Sequence, residues 1–129
     1  MNVLDENIPS GARRLLQQWS IPVRQIGYDI GRAGMKDETI IPFLRQLQRP
    51  TLFSRDPDFY RRYLCYAHYC LVYMDVVEED AALYVRRTLR HPHFNTQAKR
   101  MGAVIRAAPT SLTIWYLHAE HEVSVSWLE

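Results

Sequence analysis

The feature that most restricts the fold of this chain is the alternation of short apolar runs with amphipathic stretches. Apolar runs stand at Asn2–Leu4 (NVL), Pro50–Ser54 (PTLFS) and Cys70–Val76 (CLVYMDV). Between the first two lie segments with helical spacing: residues 7–19, where Ala12, Leu15, Leu16 and Trp19 recur every three or four positions, and a stretch through Ile40, Ile41, Leu44 and Leu47. Strands covered on both faces read as continuous apolar runs, and strands joined through helices pair in parallel. The pattern predicts an α/β fold: a mostly parallel central sheet in a three-layer α/β/α sandwich.

The remaining segments fill in this outline. Ser20–Gly27 (SIPVRQIG) is expected to be a second strand, followed by a glycine-containing loop. Thr39 is the expected N-cap of the next helix, which places Pro42 in the first turn, where its missing N–H costs little. Asp58–Tyr69 reads as a short helix. Glu78–His91 reads as a helix with acids at its start and Arg86, Arg87 and Arg90 toward its end, matching the helix dipole. Asn95–Ala108 is expected to be helical with Asn95 as its cap. Ser111–Leu128 alternates with period 2 on both sides of His118–His121 and predicts a terminal hairpin. With 129 residues the chain suits one domain, a motif-bearing part (residues 1–76) followed by helices and the hairpin (77–129).

Acids gather at the strand ends. Asp5 and Glu6 follow the first strand, Asp56 and Asp58 the third, and Asp75 ends the fourth, while Asp37 and Glu38 open the helix that leads into the third. If the first and third strands are neighbours, these carboxylates meet at one edge of the sheet. Like charges that close raise one another's pKa, and a hard divalent cation removes the cost. Asp and Glu also end strands simply as turn formers and helix caps, so Asp37 and Asp58 have a purely structural alternative.

Several short motifs extend this pattern into a resemblance. Val3–Asn7 with Pro9 (VLDEN-P), Gly34–Ile40 (G-x-x-D-E-x-I) and Ser54–Phe59 (S-R-D-x-D-F) occur in that order. Together they resemble the PIN-like family of small predicted nucleases and toxins, over residues 1 to about 76. That resemblance implies a PIN-type α/β/α sandwich and Mg2+- or Mn2+-dependent cleavage of RNA, often by the toxin of a toxin–antitoxin pair. It implies metal-binding and catalytic roles for Asp5, Asp37, Asp56 and Asp58, with Glu38 competing with Asp37. Glu6 and Asn7 match the motif as loop-orienting residues or further ligands. Ser54 stands where the family pattern has threonine.

Partners follow from charge. The formal net charge is only +2, but 14 of the 16 basic residues are arginines, the residue that grips phosphate in a bidentate way; codon bias accounts for such a ratio equally well. Arg13, Arg14, Arg55, Arg61 and Arg62 lie near the acidic edge in sequence and are candidate RNA contacts. Tyr60, Tyr63, Tyr66, Tyr69 and Tyr73 suggest core or a homodimer surface more than base stacking, and the terminal hairpin is a possible docking edge for an antitoxin. No apolar run is long enough to span a bilayer, and the two cysteines are expected to be free thiols of a cytoplasmic protein. Two other functions stay open. One is a phosphoacceptor signalling domain, which shares the acidic pair and Mg2+ but needs a lysine after the last strand. The other is a catalytically silent scaffold that binds RNA or protein.

Overall fold

A computed structural model describes residues 1–127, so Leu128 at the end of the expected hairpin lies outside the described residues. Seven strands form a single sheet in the order β2-β1-β3-β4-β5-β6-β7, made of β1 (Asn2–Leu4), β2 (Arg24–Gln25), β3 (Thr51–Ser54), β4 (Cys70–Met74), β5 (Ala103–Ala107), β6 (Leu112–Tyr116) and β7 (Val123–Val125). The pairings from β2 through β5 are parallel, and β5–β6 and β6–β7 are antiparallel.

Successive strand residues point to opposite faces, and each face has its own core. Leu4, Phe53, Val72, Met74 and Ile105 pack with α1 (Ser10–Gln18) and α3 (Ala81–Arg90). Val3, Leu52, Leu71 and Val104 pack with Ile40 and Leu44 of α2 (Asp37–Arg45) and with Phe59 and Tyr69. Helices thus flank both faces, as the α/β pattern predicts. None of them is long and apolar enough to cross a membrane among the described residues.

Several boundaries differ from the sequence reading, each for a local reason. The second strand shrinks from Ser20–Gly27 to two residues: Ser20 takes a positive φ of 60°, and only Arg24 and Gln25 pair with Val3 and Leu4. The N-cap of α2 is Lys36 rather than Thr39, so Pro42 lies inside the helix, where it withholds one backbone bond. Asp58–Tyr69 is not one helix but two 3-10 turns, Pro57–Phe59 and Arg62–Leu64, with Arg61 extended between them. The acids at 78–80 form a separate 3-10 turn ahead of α3, so only the arginines at its far end complement its dipole. The fourth strand stops at Met74.

The largest correction concerns Asn95–Ala108. Only Gln97–Arg100 (α4) is helical, capped by the Thr96 hydroxyl, which accepts from Lys99 N at 3.2 Å. Gly102 then turns the chain with φ +87°, a conformation that L residues rarely adopt, and Ala103–Ala107 becomes β5. Ala103, Val104, Ile105 and Ala107 are all at most 1% exposed. They read as a short run buried on both faces rather than as a helical stripe.

Candidate functional site

The strand order reverses at β1. The chain leaves β1 for β2 on one side, and β3 occupies the other. In open parallel sheets, ligand sites form beyond the carboxyl ends of strands at such a switch point. The β1–β3 register pairs Val3 with Leu52 and Leu4 with Phe53, and it continues as Asp5 N donates to Phe53 O at 3.0 Å. Asp5 therefore emerges beside Ser54, at the switch point, by register alone.

A chain of hydrogen bonds ties the two loops together. The Ser54 hydroxyl, fully buried, donates to Asp5 Oδ2 at 2.7 Å and accepts from Asp56 N at 3.0 Å. Asp5 Oδ1 accepts from Glu6 N at 2.8 Å. Asp56 caps the next 3-10 turn, its Oδ1 accepting from Asp58 N at 2.9 Å. Asp58 pairs with Arg61 at 3.1 Å. The capping role expected of Asp58 falls to Asp56, and Asp37 is not a cap either, since Lys36 holds that position in α2.

Asp37, Asp56 and Asp58 converge. One carboxylate oxygen from each lies within 4.8 Å of the others, and Asp37 reaches them from the first turn of α2. Asp5 stands behind this group, joined through Ser54, rather than within it. Burial raises the Asp5 pKa above its usual value, against the lowering effect of its hydrogen bonds, and Asp56 and Glu6 add repulsion. Asp37 is also raised, first by desolvation and then by the charges of Asp56, Asp5 and Asp58. The closeness of the Asp37 and Asp56 carboxylates accounts for this mutual repulsion.

Clefts open on both sides of the acids. One of about 330 Å³ is lined by Asp5, Asn7, Ser54, Arg55 and Asp56. The other, of about 650 Å³, is lined by Asp37, Glu38, Asp58, Arg61 and the exposed Tyr63. The three converging acids thus stand between two concave surfaces.

The other candidates separate clearly. Glu6 turns away from the cluster: its Oε1 accepts from Gly34 N at 2.8 Å, which holds the glycine-containing loop. Glu38 lines the larger cleft without joining the three-acid group. Asp75, expected at the acidic edge, is paired with Arg106. Among the arginines, Arg61 and Arg55 are at the site, the latter donating to Val76 O at 3.1 Å. Arg13 is engaged with Asp29 at 2.9 Å, Arg62 lies over the Trp115 ring, and Arg14 is exposed on α1 outside both clefts.

One positioning residue escaped the sequence reading. Gln25, 1% exposed, donates through Nε2 to Asp5 O, Glu6 O and Ile8 O at 3.1, 3.3 and 2.8 Å. It clamps the loop that carries Asp5. The only signal was a lone amide in an apolar segment.

No protein-family model, curated protein or solved structure matches the chain.

Proposed function

We propose that this protein is a divalent-metal-dependent endoribonuclease of PIN-like type. The observation that carries the reading is the convergence of Asp37, Asp56 and Asp58, with ligand oxygens within 4.8 Å, beyond the carboxyl ends of adjacent parallel strands. Three hard oxygen donors suit Mg2+ or Mn2+, and part of their mutual repulsion has no protein cation to answer it: among the described residues, only Asp58 of the three has an ion pair. Asp37, Asp56 and Asp58 would hold the ion, and when bound it would supply an activated water and charge stabilisation at a phosphodiester. Asp5, held by Ser54, keeps the two loops in register and adds negative charge behind the site. Arg55 and Arg61 would orient the phosphates entering the clefts, and water attack on the strand needs no covalent bond to the protein. A toxin role in the cytoplasm, a small protein inhibitor and a homodimer belong to the same reading; the exposed β7 edge, with Val123 41% exposed, is the surface we assign to such a partner.

The test is cleavage of a mixed single-stranded and hairpin RNA pool with Mn2+ or with EDTA, beside the Asp56→Asn variant. Metal-dependent cutting that the variant loses is the expected result. Equal cutting by both proteins would remove the site from consideration.

A phosphoacceptor reading has one observation in its favour, the β2-β1-β3-β4-β5 order of the parallel strands, which is the doubly wound order that such domains use. Against it, Lys99 is held on α4 by Pro92 O and Asn95 Oδ1 at 2.9 and 3.0 Å, and so is not the lysine that such a site needs after its last parallel strand. Incorporation of phosphate from acetyl phosphate would restore this reading. A silent RNA-binding scaffold would show metal binding without turnover.

A further inference from the structure

The surface of α3 carries a concentration of charge that the acidic site does not use. Arg86, Arg87 and Arg90 lie at i, i+1 and i+4, so they share a sector of the helix with Leu83. They supply more positive charge than the entire chain's formal net of +2. Among the described residues the ion pairs are Arg13–Asp29, Arg61–Asp58 and Arg106–Asp75, and none involves these three.

Two of the three guanidinium groups are nonetheless positioned. Arg86 Cζ stands 3.7 Å from the centroid of the Trp19 ring. Arg87 lies over two rings, 5.0 Å from that of Tyr84 and 4.3 Å from that of Trp127. Trp127 is itself fixed, since its Nε1 donates to Ala108 O at 2.7 Å. A guanidinium stacked on an aromatic face keeps its N–H donors at the edges, where they suit a planar or tetrahedral oxyanion. Beside them is a groove of about 420 Å³ lined by Leu83, Arg86, Arg87, Arg90, His91 and Trp127. Two stacked cations and the exposed Arg90 around one small concavity match closely spaced phosphates, and a groove of this volume suits a single strand rather than a duplex.

We infer that this groove binds the phosphodiester backbone of a single-stranded nucleic acid. None of its residues lines the clefts at the acidic edge, so the binding does not depend on the nuclease reading. Contacts of this kind hold the strand without reading its sequence.

The experiment is fluorescence anisotropy of a short labelled oligouridine in EDTA, over a range of salt concentrations. Each phosphate contact on a single strand contributes about 0.7 to the slope of log K against log salt, so replacing all three arginines by glutamine should lower that slope by about 2. Arg90→Glu, at an exposed position, should lower both affinity and slope in an unperturbed fold. The triple Arg→Lys variant, which keeps the charge, should retain most of the slope. Unchanged affinity and slope in Arg90→Glu and in a folded triple glutamine variant would overturn the inference. So would binding of polyglutamate that oligouridine fails to displace, which would assign the groove to an acidic protein. Because EDTA excludes turnover, failure of the acidic site as a nuclease would leave this measurement unaffected.

Discussion

Ser54 and Asp5 are joined by a 2.7 Å hydrogen bond between a fully buried hydroxyl and a carboxylate that is 9% exposed. The same hydroxyl receives Asp56 N, so one buried oxygen couples the loops after β1 and β3. Ser54→Ala should leave a largely buried carboxylate one donor short. Bonds to charged groups are worth about 1.5–3 kcal/mol, and a loss of that size is expected in urea denaturation. Cleavage, if present, should fall further than stability alone explains, because Asp56 loses its anchor. An unchanged midpoint would show that the bond contributes nothing net.

The pH dependence of the metal-free protein follows from the raised pKa values of Asp5 and Asp37. A carboxyl whose folded pKa exceeds its unfolded value binds protons more tightly when folded. Its unfavourable contribution is therefore fully present above the folded pKa and is relieved as pH falls toward the ordinary value of 3.8. Denaturation curves between pH 7 and that value should show wild type gaining stability relative to Asp37→Asn as acid is added. At neutral pH the Asn variant should be the more stable of the two. A constant difference across the range would mean that repulsion at the site is already compensated.

Gly27 tests the support of the glycine loop. Its φ is +88°, and a Cβ there would meet Glu6 Oε2 at 3.0 Å, on the side chain whose other oxygen holds Gly34 N. Gly27→Ala should cost about 1–2 kcal/mol from the backbone alone. It should also weaken metal-induced stabilisation, because the loop it disturbs leads into Asp37. Gly102→Ala provides the contrast: φ is +87°, but the nearest atom would be Leu117 Cβ at an ordinary 3.5 Å. Comparable strain is expected there without an effect on metal, and melting curves with and without Mn2+ would separate the two.

The thiols should differ in reactivity. Cys70 is fully buried and its thiol is pushed up to about 12 by desolvation, while half-buried Cys65 is raised by the same cause with Arg62 opposing it. The thiolate is the reactive form. A colorimetric thiol reagent at neutral pH should therefore label Cys65 slowly and Cys70 only on unfolding. Rapid release of two equivalents from the native protein would contradict the burial of β4.

How far the sequence revealed the fold depended on how uniform each segment's surroundings are. β1, β3 and β4 were legible because Val3, Leu4, Leu52, Phe53, Leu71 and Val72 are fully buried and so form short continuous apolar runs. The neighbourhood of Asp5, Asp56 and Asp58 was legible for the same reason, since acids that end buried strands stand out. Asp37 was read as opening the helix before the third strand, and α2 does begin there. β5 was hidden because Gln97–Arg100 supplies a genuine helical turn just ahead of it, and nothing but Gly102 marks the change. The segment from Asp58 to Tyr69 misled because the tyrosine spacing imitates a helix, while Arg61 is extended. Gln25 acts entirely through distant carbonyls, which a single sequence does not display.

The sheet has two kinds of seam, and they differ in how far the chain must travel to close them. Ala107 meets Leu112 across β5–β6, a step of a few residues, whereas Leu4 meets Phe53 across β1–β3. Closing a short loop costs little chain entropy, and non-local pairing sets the pace of folding. The C-terminal ladder can therefore assemble early, while the acidic edge comes into being only when β3 docks beside β1. Under the proposed metal-binding reading, a refolding chain should acquire part of its sheet signal before it can hold a cation, and metal affinity would act as a clock for the last part of the fold to arrive.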